Sequence, residues 1–213
     1  MGMLLTVALL PLLSGLSTTD ANAAPRLRNP EAVITPGDYP TQASGRGETG
    51  LVSVLLHIAD DGKVMSCDIT ETSGSPALDG KTCLLFKSRA RFYPAKDANG
   101  AGVTGEYRAS AMWGLDDRQP RTTIDMPLQV SRLPADYKSP VKAQLVFDGT
   151  GRVSTCDVTS SSGSQAADRA VCAYAEKQFA IPAPKTTSNV PAAAVRYLTA
   201  KLALKPAETS IKK

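Results

Sequence analysis

Asp60–Cys83 reads DDGKVMSCDITETSGSPALDGKTC, and Gly149–Cys172 reads GTGRVSTCDVTSSSGSQAADRAVC. A shift of 89 residues (149 minus 60) lays one stretch on the other. Gly62, Val64, Cys67, Asp68, Thr70, Ser73, Gly74, Ser75, Ala77, Asp79 and Cys83 then meet identical residues. The same shift sets Val52, Val54, Leu56 and Ile58 against Val141, Ala143, Leu145 and Phe147. A fixed offset carrying this many identities is the mark of a duplication. Upstream, Pro36-Gly37-Asp38-Tyr39 matches Pro134-Ala135-Asp136-Tyr137 at an offset of 98, so the second copy lacks nine residues (98 minus 89) before its first strand. The lost stretch includes the Gly45-Arg46-Gly47 loop.

Within each unit the pattern of apolar residues predicts β-β-α-β. Val52, Val54, Leu56 and Ile58 alternate with Ser53, Leu55 and His57, the period-2 mark of a strand with one better-buried face. Asp61-Gly62, and Gly149-Thr150-Gly151 in the second copy, supply a tight hairpin turn. The next strand, Val64 to Thr70, carries Cys67. Ser75 as N-cap and Pro76 at the first helical position start a helix, with Asp79 in its first turn favouring the positive end of the helix dipole. Cys83, Phe86 and Ala90 share one helix face. A third strand is predicted over Val103–Trp113, and over Tyr197–Leu204 in the second copy. The expected fold class is α+β: two tandem modules, each a three-stranded antiparallel sheet covered by one helix.

Cys67 and Cys83 are sixteen residues apart, as are Cys156 and Cys172. Four cysteines allow three pairings, and the repeated spacing singles out the one inside each repeat. Each bridge then staples strand to helix, which matters in units of about 90 residues whose cores are small. A zinc site needs closer ligand pairs or histidines, and His57 is the only histidine. No metal and no cofactor is expected.

The N-terminus reads as a targeting signal. Met3 to Leu16 is almost wholly apolar, and Ala21-Asn22-Ala23 fits small-x-small cleavage after Ala23, giving a signal segment over 1–23. As a helix the run reaches only about 21 Å, short of the roughly 30 Å hydrocarbon core. No Lys or Arg precedes it, a departure from the usual signal; the alternative is an uncleaved inner-membrane anchor facing the periplasm. The whole chain has net charge +4, and loss of Asp20 with the signal leaves 24 basic against 19 acidic residues, or +5. That excess is scattered apart from Lys87, Arg89, Arg91 and the terminal Lys212-Lys213, so no nucleic-acid footprint is present. Residues 34–113 form the first module and 133–204 the second. Residues 114–132, polar with Pro120 and Pro127, read as a linker containing at most a short extended piece, and 205–213 as a disordered tail.

The first module resembles the TonB C-terminal-domain family. The resemblance rests on Tyr39-Pro40, Gly50-Leu51-Val52, Asp61-Gly62-Lys63-Val64, Thr72-Ser73-Gly74, Leu78-Asp79 and Phe92-Tyr93-Pro94-Ala95, in that order. The second copy keeps Gly151-Arg152-Val153, Ser161-Ser162-Gly163 and Phe179 to Ala183, but has Lys138 after Tyr137 and Ala167 where the family prefers Leu. It resembles a diverged copy. The resemblance implies a periplasmic binding module that pairs the edge of its last strand with an extended segment, the TonB box of an outer-membrane receptor, or a segment of another envelope protein. By position that edge is Tyr107, Arg108, Ala109, Ser110, Ala111, Met112 and Trp113, and an exposed edge offers unpaired backbone groups as a template. The bland reading has the same strand merely closing the sheet, with Trp113 as core. A second copy of the chain is a further candidate partner. An energy-transducer component and a structural or assembly protein of the envelope are the alternative functions. Only Ala24–Tyr39 would space an anchor from the first module, reaching about 50 Å when fully extended.

No catalytic set is expected. His57 lies on the less apolar strand face, is matched by Val146, and has no nucleophile motif near it. Asp60-Asp61-Gly62 lacks calcium-loop spacing, and Gly45-Arg46-Gly47 lacks the lysine of a phosphate loop.

Overall fold

The computed structural model describes residues 23–116 and 118–205. Nearly all of the segment read as a signal, and the tail beyond 205, lie outside the described residues. The chain begins with a strap of short elements: strand β1 (Arg26–Leu27), helix α1 (Pro30–Val33), a 3-10 turn (Pro36–Asp38) and helix α2 (Thr41–Gly45). Strands β2 (Gly50–Ile58) and β3 (Val64–Glu71), helix α3 (Pro76–Arg89), strands β4 (Phe92–Tyr93), β5 (Ala95–Lys96), β6 (Gly102–Val103) and β7 (Gly105–Trp113) complete the first module. Strand β8 (Thr123–Val130) follows, then β9 (Val141–Phe147), β10 (Val153–Ser160), helix α4 (Gln165–Gln178) and β11 (Ala194–Leu204).

The first sheet has the order β3-β2-β7, all antiparallel. Val52, Val54, Leu56 and Ile58 point to one face and are fully buried beneath α3, which contributes Leu78, Thr82, Leu85 and Phe86. The Ser75 hydroxyl accepts from the Leu78 amide, capping the helix with Pro76 just inside it. The Asp79 carboxylate reaches back to accept from the Ser73 amide (2.9 Å), the Ser73 hydroxyl (2.7 Å) and the Thr72 hydroxyl, fixing the strand-to-helix turn. Gly62, at φ 82°, turns the hairpin, and its carbonyl accepts from the Phe92 amide at 3.0 Å. A Cβ on Gly62 would sit 2.2 Å from the Phe92 carbonyl oxygen, so both the turn and this contact require glycine. The strand expected over 103–113 is split at Thr104: β6 pairs with β5, and β7 with β2. Gly105 marks the break, where a Cβ would meet Pro25 at 2.6 Å.

The second module repeats these details at the 89-residue offset. Asp168 accepts from the Ser162 amide and hydroxyl and from the Ser161 hydroxyl; Ser164 caps α4; Gly151, at φ 83°, accepts from the Ile181 amide at 2.9 Å. Cys67–Cys83 and Cys156–Cys172 are disulfide-bonded, each with Cα atoms 5.6 Å apart, joining the second strand of a module to its helix. The third strands obey the offset too: Ala109 pairs with Val54, and Leu198 with Ala143.

One feature departs from the expected three-stranded design. The second sheet has four strands in the order β10-β9-β11-β8, and β8, from the segment read as linker, pairs in parallel with β11 along all eight of its residues. Its Ile124, Met126, Leu128 and Val130 pack on the second core. Pro127 is tolerated because β8 is the outer strand.

The two modules contact each other through the outer face of the first sheet. Arg196 makes two bonds to Glu71, 2.8 and 2.6 Å, with both side chains largely buried. Ser53 donates to Glu71 at 2.7 Å and accepts from the Val195 amide at 2.9 Å, while the Thr72 amide donates to the Lys185 carbonyl. A planar guanidinium held bidentately by a carboxylate fixes orientation as well as distance.

Candidate partner-binding edge

β7 is paired on one side only, by β2. Alternate residues of a strand direct their backbone groups to the same edge. The Arg108 carbonyl accepts from the Gln144 side chain at 3.0 Å, and the Ser110 amide donates to the Tyr197 hydroxyl at 3.3 Å, both away from β2. Glu106, Arg108, Ser110 and Met112 therefore face the open edge; Tyr107, Ala109, Ala111 and Trp113 face β2. Two of the outward groups are thus capped by side chains of the second module, and the end near Met112 is not covered by them. Met112 itself is exposed, and the Ser110 hydroxyl is buried with no hydrogen-bond partner.

Side chains divide the strand differently. Ala109 and Ala111 are buried, and Trp113 is only 2 % exposed, its indole N–H donating to the Thr82 hydroxyl at 2.8 Å and its ring meeting Tyr39 edge-on. Trp113 belongs to the core, and its backbone groups face β2 rather than the open edge. Burial pushes the Tyr107 hydroxyl up to about 12, with the nearby Tyr197 adding to it, and burial likewise raises Tyr197. Both phenols stay neutral at physiological pH, so the Ser110–Tyr197 bond does not titrate there.

Beside the edge runs a groove of about 380 Å³, walled by Leu27, Val33 and Ile34 of the strap, by Phe86, by Tyr107 and residues 109–112, and by Tyr197 of the second module. The strap residues are held in place. β1 pairs with β4, the Arg28 amide donates to the Arg91 carbonyl, and Arg89 grips Asp38 at 2.6 and 2.8 Å. The Arg89 guanidinium, then the Thr35 hydroxyl and amide, hold the Asp38 carboxyl well below the usual carboxylate range. Residues read as a spacer are consequently folded onto the module as one wall of the groove. Sequence reading missed this wall because a two-residue strand and a one-turn helix carry no periodicity.

The edge at the equivalent place in the second module is β11, where residues 108, 110 and 112 correspond to Tyr197, Thr199 and Lys201. There the Tyr197 amide donates to the Thr122 carbonyl at 2.7 Å, and the Lys205 amide to the Val130 carbonyl, in the ladder with β8.

The remaining sequence candidates find ordinary places. His57 lies between two carboxylates of neighbouring strands, Nε2 3.2 Å from Asp68 and Nδ1 3.8 Å from Glu106, at a partly exposed surface. Asp61 holds the turn by accepting from the Lys63 amide and ammonium. Among the described residues no cluster of three or more His, Cys, Asp or Glu side chains is arranged to hold a metal, and no helix is long and apolar enough to cross a membrane.

Comparison with curated proteins returned no match, and comparison with solved structures returned none. Comparison with family models matched residues 36–115 to the Gram-negative bacterial TonB protein C-terminal family and did not extend to the second module. That family consists of non-catalytic domains that interact with proteins. The matched stretch runs from the 3-10 turn through the whole of β7, so the groove and the edge both fall inside it. Residues 36–115 of this chain are thus similar to the C-terminal domains of Gram-negative bacterial TonB proteins.

Proposed function

We propose that this is an exported, periplasmic binding protein whose first module captures an extended segment of an outer-membrane receptor by strand addition to β7, in the service of transport across the outer membrane. The observation that carries the reading is the eight-residue strand already added to β11, the equivalent edge of the second module. It demonstrates the geometry in the same scaffold: backbone groups supply the attraction and alternate side chains the selectivity. The groove beside β7, with apolar walls at Leu27, Val33, Ile34 and Phe86, offers room for such side chains. Export is supported by the apolar N-terminal run and by two disulfides, which persist in oxidising compartments. Residues 26–38 are folded onto the module, where they wall the groove beside β7.

The test is a titration of the oxidised chain with a synthetic TonB-box peptide, followed through backbone amide resonances. Shifts are expected along residues 106–113 and at Leu27, Val33 and Ile34. Silence at millimolar peptide removes the reading. In that case the buried Glu71–Arg196 contact favours a rigid assembly element of the envelope.

A further inference from the structure

We propose that the second module is an intramolecular shield for the first: its Gln144 and Tyr197 close the open edge of β7, which becomes free along its length only when the two modules part. The shield rests on the role proposed for β7 and supplies that role with regulation. Four residues of β7 face outward, and the middle two are already engaged. The Arg108 carbonyl accepts from Gln144 Nε2 at 3.0 Å, and the Ser110 amide donates to the Tyr197 hydroxyl at 3.3 Å. A strand added to β7 makes its ladder through these same two groups, so an incoming segment and the second module compete for them. Tyr197 also lines the groove between the strap and β7. Met112 lies beyond both contacts and is exposed, so an incoming segment finds its first room there.

The shielding residues are not inherited with the repeat. At the 89-residue offset Gln144 stands where the first module has Leu55, Tyr197 where it has Arg108, and Arg196 where it has Tyr107. Glu71 and Ser53, which anchor the contact from the other side, correspond to Ser160 and Lys142. The two copies share their turns and bridges, whereas the residues that dock one on the other differ at each of these positions. Parting the modules breaks no covalent bond, because both disulfides lie within a module and residues 114–122 join the two. The Ser110 hydroxyl is buried without a hydrogen-bond partner in the closed arrangement, a cost that separation removes. Beside the Arg108–Gln144 bond a cleft of about 550 Å³ separates Glu106 and Arg108 from Gln144 and Asp157, so this end of the contact is not filled. The Glu71–Arg196 pair and the Ser53–Val195 bond are the latch that holds it shut.

The test compares peptide affinity in the oxidised native chain and in two variants, Gln144→Ala/Tyr197→Phe and Glu71→Gln, all titrated with the same synthetic TonB-box peptide. The first variant removes the competing contacts and leaves the latch; the second weakens the latch and leaves the contacts. A site that is closed most of the time binds with an affinity lowered by its open fraction. Loss of the two competing hydrogen bonds is therefore expected to tighten binding on the order of 10-fold, and the weakened latch to tighten it by a smaller factor. Linkage is reciprocal, so saturating peptide is expected to loosen the latch in the native chain. Amide resonances of Val195 and Thr72, which bond across the module contact away from the β7 edge, should then shift. Equal affinity in all three chains, with Val195 and Thr72 unmoved, overturns the shield and leaves capture at β7 standing. Silence of all three at millimolar peptide removes capture itself, and the shield with it. Should one variant fail to keep its disulfides and circular dichroism, the other decides by the same criterion.

Discussion

The two helices occupy the same place over the same sheet and fill it differently. α3 presents Leu78, Thr82 and Phe86 to the first core, where α4 at the 89-residue offset presents Ala167, Val171 and Ala175. Leu85, buried, corresponds to Tyr174, exposed. The hydrogen-bonded pair Thr82 and Trp113 is replaced by two apolar residues of the second core, Val171 and Leu202. Smaller helix residues leave more of the second sheet uncovered, and β8 supplies the missing apolar side chains from the flank. One module is closed from above by its helix, the other partly from the side by a strand. The duplication kept the turns, caps and bridges and let the filling drift, because turn and cap chemistry depends on single residues while a core requires only summed volume.

The largest test of this contrast is Phe86→Ala, which writes the residue of the second module into the first. Its expected cost is about 3–5 kcal/mol in urea denaturation, because no side strand is at hand to fill the void. A cost near zero would mean that the first helix face is not what closes its core. Next, replacing Cys156 and Cys172 together by Ser is expected to remove about 3 kcal/mol, the chain-entropy value for a loop of this size. The second module, with its lighter core, is expected to lose protease resistance at lower urea than the first module does when Cys67 and Cys83 are replaced. The reverse order would contradict the comparison. Glu71→Ala leaves Arg196 largely buried without its partner, and about 2–3 kcal/mol is expected to go. Two separated unfolding transitions should then replace a shared one.

The smallest expected effect is one of pH. Asp38, gripped by Arg89, has its folded-state ionisation depressed, so its contribution is fully present above the ordinary carboxylate range and is lost as acid carries the solution through that range toward its folded value. In the second module Gln178 stands where Arg89 does, and Asp136 where Asp38 does. Acid loosening of the strap, read by amide exchange at residues 26–38, should therefore weaken in Arg89→Gln, where only the Thr35 contacts still favour the Asp38 carboxylate. If the acid response is unchanged in that variant, the pair is not its source.

Much of this architecture was legible in the chain itself. The hairpin glycines, the Ser75 cap and the cysteine spacing each depend on neighbours within about twenty residues, and such local chemistry leaves a local trace, here written twice at the offset of 89. The placement of β8 did not, since its partner begins some seventy residues later and Pro127 reads as a strand breaker until an edge position excuses it. Glu71 and Arg196 belong to no motif; only the packing of one module on the other brings them together. Trp113, which the sequence left between edge and core, lies in the core, and the capping of Arg108 and Ser110 by Gln144 and Tyr197 needed the three-dimensional arrangement.

Each sulfur bridge joins a cysteine to the next one along the chain, sixteen residues on. For a polypeptide that meets oxidant from its N-terminal end, this ordering has a kinetic meaning. When Cys83 emerges, Cys67 is the only thiol waiting for it, and once they have joined, Cys156 in turn finds no free thiol to pair with until Cys172 arrives. Correct connectivity then follows from timing alone, before either sheet has formed and without any need to reshuffle wrong pairs.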